Sequence, residues 1–437
     1  MEKNKMNKQS WLLIIVAALG YFVDIYDLIL FNVIKRDSLI SLGITDPEAI
    51  KNTGINLFNW QMGGMLVGGL LWGILGDKKG RLKVLFGSIL MYSLANVANA
   101  FVTSIPVYAF IRFIAGIGLA GELGAGITLV AEVMSKETRG YGTMIIVTFG
   151  ALGAVLAAFV GGEQYVASIN GDGNGLSETI NHLLGAKLMN WQVAYIIGGI
   201  LGLVLLLLRV GTLESSMFAS LHKTSVRKGD FLSLFKNKER FSRYIRCILI
   251  GLPVWYAIGI LISLAQNFQE AGILNVKEPV MNAQAVMYAY LGLSVGDLIS
   301  GILSQIWKSR KKVLISYLLF SLVMIYMYFF TTDNCSLDYF YFICFLVGAA
   351  TGFWALFVTV AAEQFGTNIR STVTTTVPNF VRGALILITG LFRMLETSLG
   401  TMESAIVVGV ICIGLSLIAV YYSKETFAKD LNYVEAI

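Results

Sequence analysis

Charge is scarce in this sequence. Only 14% of its 437 residues are Asp, Glu, Lys or Arg, and 56% are hydrophobic, where soluble domains carry roughly 25% charged residues. A soluble fold of this composition would lack the polar surface to cover its core. Histidine is almost missing: His182 and His222 both fall in polar stretches, which leaves no histidine site for metal or acid–base chemistry. The four cysteines, Cys247, Cys335, Cys344 and Cys412, show no paired spacing, so neither a disulfide framework nor a metal site is expected. No nucleophile–base or metal-ligand spacing appears, which excludes an enzyme reading and any cofactor. The net charge of +6 does not signal nucleic acid, because the basic residues fall in short loops rather than on one amphipathic face.

Long apolar runs are plentiful. Cutting at polar loops gives six segments near 11–34, 54–76, 83–103, 107–131, 141–162 and 190–209. Six more lie near 244–266, 283–306, 312–331, 338–361, 372–394 and 404–422. Runs of about 18 apolar residues or more are the signal of spanning helices. The first run resembles a signal peptide, yet it continues through Asp24 to about Ile34 with no small-residue cleavage site, so it reads as an uncleaved helix. The expectation is an all-α membrane protein of twelve transmembrane helices. An N-terminal bundle over 1–210 and a C-terminal bundle over 244–437 are joined by a polar, basic linker over 211–243. One alternate set of loops holds most of the lysine and arginine, including Lys78 to Lys83 and Lys308 to Lys312. That bias puts both termini and the linker in the cytoplasm.

The two halves echo each other. "AEVMSKETRG" closes the fourth segment and "AEQFGTNIRS" the tenth, each with arginine seven residues after glutamate: Glu132 to Arg139, Glu363 to Arg370. "GILGDKKGRLK" from Gly73 has its counterpart in "GILSQIWKSRKK" from Gly301. Duplicated parallel halves place a substrate site at their interface near the bilayer midplane.

With Gly73, Asp77, Gly80, Arg81 and Lys83 spaced as glycine-x3-aspartate-basic-x-glycine-arginine, the chain resembles the major facilitator superfamily over its whole length. "RFIAGIGLAGELG" from Arg112 is similar to the fourth-helix signature of its sugar-porter and metabolite:proton-symporter branches. Gly121-Glu122-Leu123 is closest to the aromatic-acid and nicotinate-type permeases. Helix five has no proline, which counts against the drug antiporters, and Gln305 stands where the second loop copy would carry aspartate. The resemblance implies two pseudo-symmetric six-helix bundles working by alternating access. It also implies a cytoplasmic gate built from Gly73, Asp77, Gly80, Arg81, Glu132, Arg139, Glu363 and Arg370.

The charges inside the runs are the candidate chemistry. In "GYFVDIYDLILF", Asp24 and Asp27 sit three apart and share a helix face. At 1.5 Å per residue they lie about 20 Å along the first helix, at the depth of Arg112 on the fourth. Two neighbouring carboxylates of low dielectric cannot both ionise cheaply, and one that an arginine can engage or release is a proton carrier. The superfamily's proton-coupled sugar porters pair such a first-helix aspartate with the fourth-helix arginine, which makes Asp27 with Arg112 the first choice, Asp24 its partner or a substrate contact, and Glu122 a second proton site. The plain alternative is that an aspartate caps a helix ending near Asp27. Arg382 lies about 16 Å into the eleventh segment, after Pro378 and Asn379, where a helix break is expected. Its fork suits a carboxylate. The alternative is a permanent partner, Asp297 or an aspartate across the cavity. Asn379, Gln61, Trp255, Tyr256, Tyr288 and Trp354 are candidates to line the substrate site.

The function expected is proton-coupled uptake of a small organic anion, a carboxylate or amino acid, by a monomer in the inner membrane. Its partners are the substrate, protons and the lipid bilayer. A proton-coupled sugar or polyol symporter and a proton-independent anion exchanger stay open as alternatives.

Overall fold

The computed structural model describes residues 8–79, 81–124, 126–127, 139–162, 180, 185, 187–213, 231–366, 368–429 and 435. The described chain is nearly all helical. Its first half holds α1 (Lys8–Ser41), α2 (Pro47–Lys79), α3 (Arg81–Asn99), α4 (Ile105–Leu119), α5 (Arg139–Gly161) and α6 (Asn190–Leu213). After the short α7 (Ser233–Lys236) come α8 (Lys238–Tyr256), a π turn (Ala257–Ile262), α9 (Ala265–Glu270), α10 (Asn282–Ile306) and α11 (Arg310–Phe330). The chain ends with α12 (Leu337–Thr351), α13 (Trp354–Gln364), α14 (Arg370–Gly383), α15 (Leu385–Leu399) and α16 (Thr401–Tyr422). Helices are what a lipid-embedded backbone requires, since every N–H and C=O must find a partner within the segment.

Among the described residues, ten helices are long and apolar enough to cross a membrane. The helices α2 and α3, which hold the second and third expected segments, carry polar residues along their length and are not among the ten. The first helix runs to Ser41 rather than stopping near Asp27, and both aspartates are fully buried inside it. A wet cap is therefore ruled out for either. The eighth helix starts at Lys238, inside the stretch read as linker, because the Asn237 side chain caps it by accepting from the N–H of Glu239 and Arg240.

Two helices break at positions that differ from those expected. The tenth segment is split at Gly352–Phe353, between α12 and α13. The exposed start of α13 is satisfied by Asp297 of α10, whose Oδ1 accepts from Ala355 N at 2.9 Å. Asp297 is thus a cap and not the partner of Arg382. The break expected at Pro378–Asn379 falls instead at Ala384, between α14 and α15. Helix α14 passes through Pro378, and within it Asn379 Nδ2 donates to Thr375 O at 2.7 Å and Thr376 Oγ1 to Thr372 O at 2.7 Å.

Helix α1 packs chiefly on α5 and also on α6, while α4 packs on α2 and α3. The α1–α5 contact is backbone-close: a Cβ on Gly153 would sit 1.9 Å from Phe22 O, so only glycine fits. In the second half α10 lies on α12, and α8 on α16. The halves meet through α2 against α14 and α5 against α10 and α13.

Candidate functional site

Arg382 is 1% exposed and lies at the meeting of the halves. Its guanidinium carbon stands 5.9 Å from the Trp255 ring centre and 5.8 Å from that of Trp354, two indoles packed edge to face. Its Nη1 donates to Asn379 Oδ1 and its Nη2 to the Tyr21 hydroxyl, each at 3.3 Å. Across from it, Asp24 Oδ2 is 3.9 Å from Nη2, and among the described residues neither Asp24 oxygen makes a hydrogen bond. A cavity of about 20 Å³ adjoins these groups, walled by Tyr21 and Ile25 of α1, Val147 and Ala151 of α5, Trp255 and Ile258, Tyr290 and Trp354. The walls come from both halves. The indole N–H of Trp255 is buried without a partner, and that of Trp354 lies beside the Tyr21 hydroxyl.

The second cluster lies wholly within the first half. Arg112, 1% exposed, donates to Gln61 Oε1, to the Tyr195 hydroxyl at 2.8 Å and to Leu57 O at 3.3 Å, and its guanidinium covers the Phe31 ring at 3.7 Å. The expected Asp27–Arg112 pair is therefore not made in this conformation. Asp27 faces Gly198 of α6 instead, close enough that a Cβ there would lie 2.3 Å from Oδ1, and Asn96 is its amide neighbour. Tyr195, which holds Arg112, lies one turn before Gly198.

Glu122 has a partner that the sequence reading missed. Arg209 of α6 donates to Glu122 Oε2 at 2.9 Å and also to Oε1, and the pair is buried at 1% and 2% exposure. Arg209 ends an apolar run, where a basic residue reads as interfacial. Arg209 Nη2 also donates to Val16 O at 3.1 Å, and a Cβ on Gly20 would lie 1.9 Å from Glu122 Oε1. The fork thus clamps α1 to α4 and α6. Substituting Arg209→Met leaves a buried carboxylate unpaired, at a cost of about 3–5 kcal/mol. The expected result is a marked loss of folded, monodisperse protein in a thermal-stability assay. Arg209→Met with Glu122→Gln recovers most of that loss.

Other candidates fall elsewhere. Tyr256 points away from Arg382, donating to Ala405 O of α16 at 2.7 Å. Tyr288 stacks on Tyr341 with ring centres 5.3 Å apart, and its neighbour Tyr290 lines the cavity instead. One helix position separates the two tyrosines, and only packing decides which faces inward. Gln61 serves Arg112 and does not line the cavity. Of the expected gate, Asp77, Gly80, Arg81, Glu132 and Arg139 lie outside the described side chains. Gly73 O meets the Thr372 hydroxyl at 3.5 Å. Glu363 pairs with Arg310 at 3.3 Å, and Arg370 donates from Nε to Phe365 O.

Bonds between the halves flank the cavity on both sides. Toward Gly73, Asn379 donates to Ala120 O at 2.8 Å. Toward Ser41, Arg36 meets Glu270 at 2.5 Å, Lys51 meets Glu396 at 2.7 Å, and Arg393 bonds Asn56 Oδ1 at 2.8 Å. All three link the first half to the second.

Comparison with known proteins agrees with this architecture. The chain is 27% identical over 444 residues to NiaP of Bacillus subtilis, assigned by name to niacin/nicotinamide transport, covering 95% of this chain and 96% of that one. It is 26% identical over 361 residues to a protein of Cupriavidus pinatubonensis assigned by name to 4-methylmuconolactone transport, covering 81% and 76%. Among solved structures, the proton:xylose symporter XylE superposes with a TM-score of 0.73 at 15% identity, covering 98% of both chains, which shows the shared fold. The Major Facilitator Superfamily model matches residues 17–390. This multi-pass membrane protein belongs to the Major Facilitator Superfamily of transporters.

Proposed function

We propose that the protein takes up a small organic anion, best an aromatic monocarboxylate, together with a proton. The observation that carries this reading is the surroundings of Arg382: a buried guanidinium beside two indole faces, a buried carboxylate opposite, and a cavity walled by both halves. A guanidinium fork matches a carboxylate, and Trp255, Trp354, Tyr21 and Tyr290 offer ring faces to an aromatic substrate. Niacin, for which one relative is named, is such an acid.

Asp24 takes the coupling role in this mechanism, ahead of Asp27. It neutralises Arg382 without bonding to it, so a substrate carboxylate can occupy the fork once Asp24 accepts a proton. The swap leaves no uncompensated charge in the low-dielectric interior. Asp27, which faces Gly198 in the first half, and Glu122, bound to Arg209, support α1 around that site. Twelve spans in two six-helix units, over 1–210 and 244–437 with a linker over 211–243, complete the reading. The lysine and arginine bias supports cytoplasmic termini in an inner membrane, with the chain acting as a monomer. A site of about 20 Å³ holds one water, whereas ligand pockets measure roughly 300–1,000 Å³. The conformation is therefore occluded, and substrate enters only when helices part.

The test is uptake into proteoliposomes of benzoate, nicotinate, an aromatic amino acid and xylose, with a pH probe. Accumulation of one acid with stoichiometric proton entry is expected. Preference for xylose would favour the sugar reading, and acid uptake without proton movement would favour exchange.

A further inference from the structure

The helix that gives Val254, Trp255 and Ile258 to the cavity does not continue as an α-helix. After Tyr256 it widens into the π turn Ala257–Ile262, a rare form that concentrates at functional positions. Ser263 closes the turn, donating its N–H at 3.0 Å and its hydroxyl at 2.7 Å to the carbonyl of Ile258, a cavity residue. The carbonyl of Ser263 in turn accepts from Asn282 Nδ2 of α10 at 3.3 Å and from Lys35 Nζ of α1. Lys35 is 5% exposed, a rare burial for lysine. Among the described residues it makes no ion pair. The acidic group within electrostatic reach is Glu270, already held by Arg36 and by Gln266 Nε2 at 3.3 Å.

We propose that Lys35 is the clasp that shuts the cavity at the Ser41 end and, through Ser263, positions the Trp255–Ile258 wall. The proposal rests on the cavity being the transport site. A buried ammonium is tolerated only where its donors are used, and a carbonyl at the end of a helical segment is a favourable acceptor for a cation. When the halves part at this end, the ammonium meets water and regains its hydration. Both end states satisfy it and a half-open one does not, which makes the closure two-state. The Arg36–Glu270 pair nearby is 38% and 31% exposed, and such exposed pairs contribute little. Lys35, at 5% exposure, is more deeply buried than the Lys51–Glu396 pair, at 13% and 20%.

The experiment needs no substrate, so it stands or falls apart from the identity of the cargo. Ala151→Cys, on the cavity wall, is placed in a Cys335→Ser background, since the other native cysteines are buried. Labelling by a membrane-impermeant maleimide is timed in intact cells and in inverted vesicles, with and without Lys35→Met. Labelling at least about tenfold faster from one face only is expected, as befits a lost hydrogen bond to a charged group. The outer face is the one expected. Lys311→Met, which alters an exposed lysine bound to Tyr421 O, leaves the rate unchanged. Equal rates with and without Lys35→Met on both faces, or equal acceleration on both, overturn the clasp. If Lys35→Met does not fold, Lys35→Gln is read in the same way and gives a smaller acceleration from the same face.

Discussion

Replacing Arg382 with alanine abolishes uptake, with a fall of two to three orders of magnitude in the transport rate at low substrate. Removing one partner of a buried ion pair costs about 3–5 kcal/mol, and each 1.4 kcal/mol is tenfold. Arg382 loses three relations at once: the bonds to Asn379 and the Tyr21 hydroxyl, the charge facing Asp24, and its place beside Trp255 and Trp354. Arg382→Lys keeps the charge and loses the planar fork, so uptake stays at least tenfold below wild type. Arg382→Ala also strands Asp24 in the interior. The double variant Arg382→Ala/Asp24→Asn separates the two effects, restoring folded protein without restoring uptake. Initial uptake of radiolabelled acid, normalised to folded transporter, checks this. Full uptake by the double variant would remove Arg382 from substrate recognition.

Asp24→Asn separates exchange from accumulation. Asparagine fills the same space and holds no exchangeable proton, so the substrate can still take the fork of Arg382. Counterflow exchange then stays within about threefold of wild type, while proton-driven accumulation falls to background, a difference set by the loss of the only proton the cycle carries. Asp27→Asn is the comparison. Its carboxylate faces Gly198 and Asn96, away from Arg382, so accumulation persists. The opposite result, coupling lost in Asp27→Asn and kept in Asp24→Asn, would return the proton to the first half. Arg112 would then have to leave Tyr195 to reach Asp27.

How much of this was legible beforehand follows from what each signal measures. Apolar length reports lipid contact, so most of the spanning helices stood out as runs. Helix breaks report local hydrogen-bond supply, which the sequence conceals: α14 runs on past Pro378 to Gly383, while the break at Gly352–Phe353 depends on Asp297 from another helix. Arg382, Trp255 and Trp354 were recognisable because a guanidinium and indoles deep in a run need a reason. Their opposite number, Asp24, was visible as a buried charge, and the sequence left open which aspartate across the cavity would face Arg382. That choice depends on the rotation of α1, and Asp24 and Asp27, three residues apart, end up serving different neighbours. Arg209 was lost at the edge of its run, and Tyr256 and Tyr288 were misplaced because a shift of one or two residues turns a side chain from cavity to packing.

The proposed exchange of Asp24 for a substrate carboxylate at Arg382 also has an electrical consequence for the carrier. In that cycle the empty site holds one negative and one positive group and is neutral. Loaded in the proposed way, it holds a protonated Asp24, a cationic Arg382 and an anionic acid, and is neutral again. Neither half-cycle moves net charge, although each elementary charge would feel about 2.3 kcal/mol per 100 mV. The membrane voltage then does no work on this transporter. Accumulation is set by the proton gradient alone, at about tenfold per pH unit, the 1.36 kcal/mol that one unit represents.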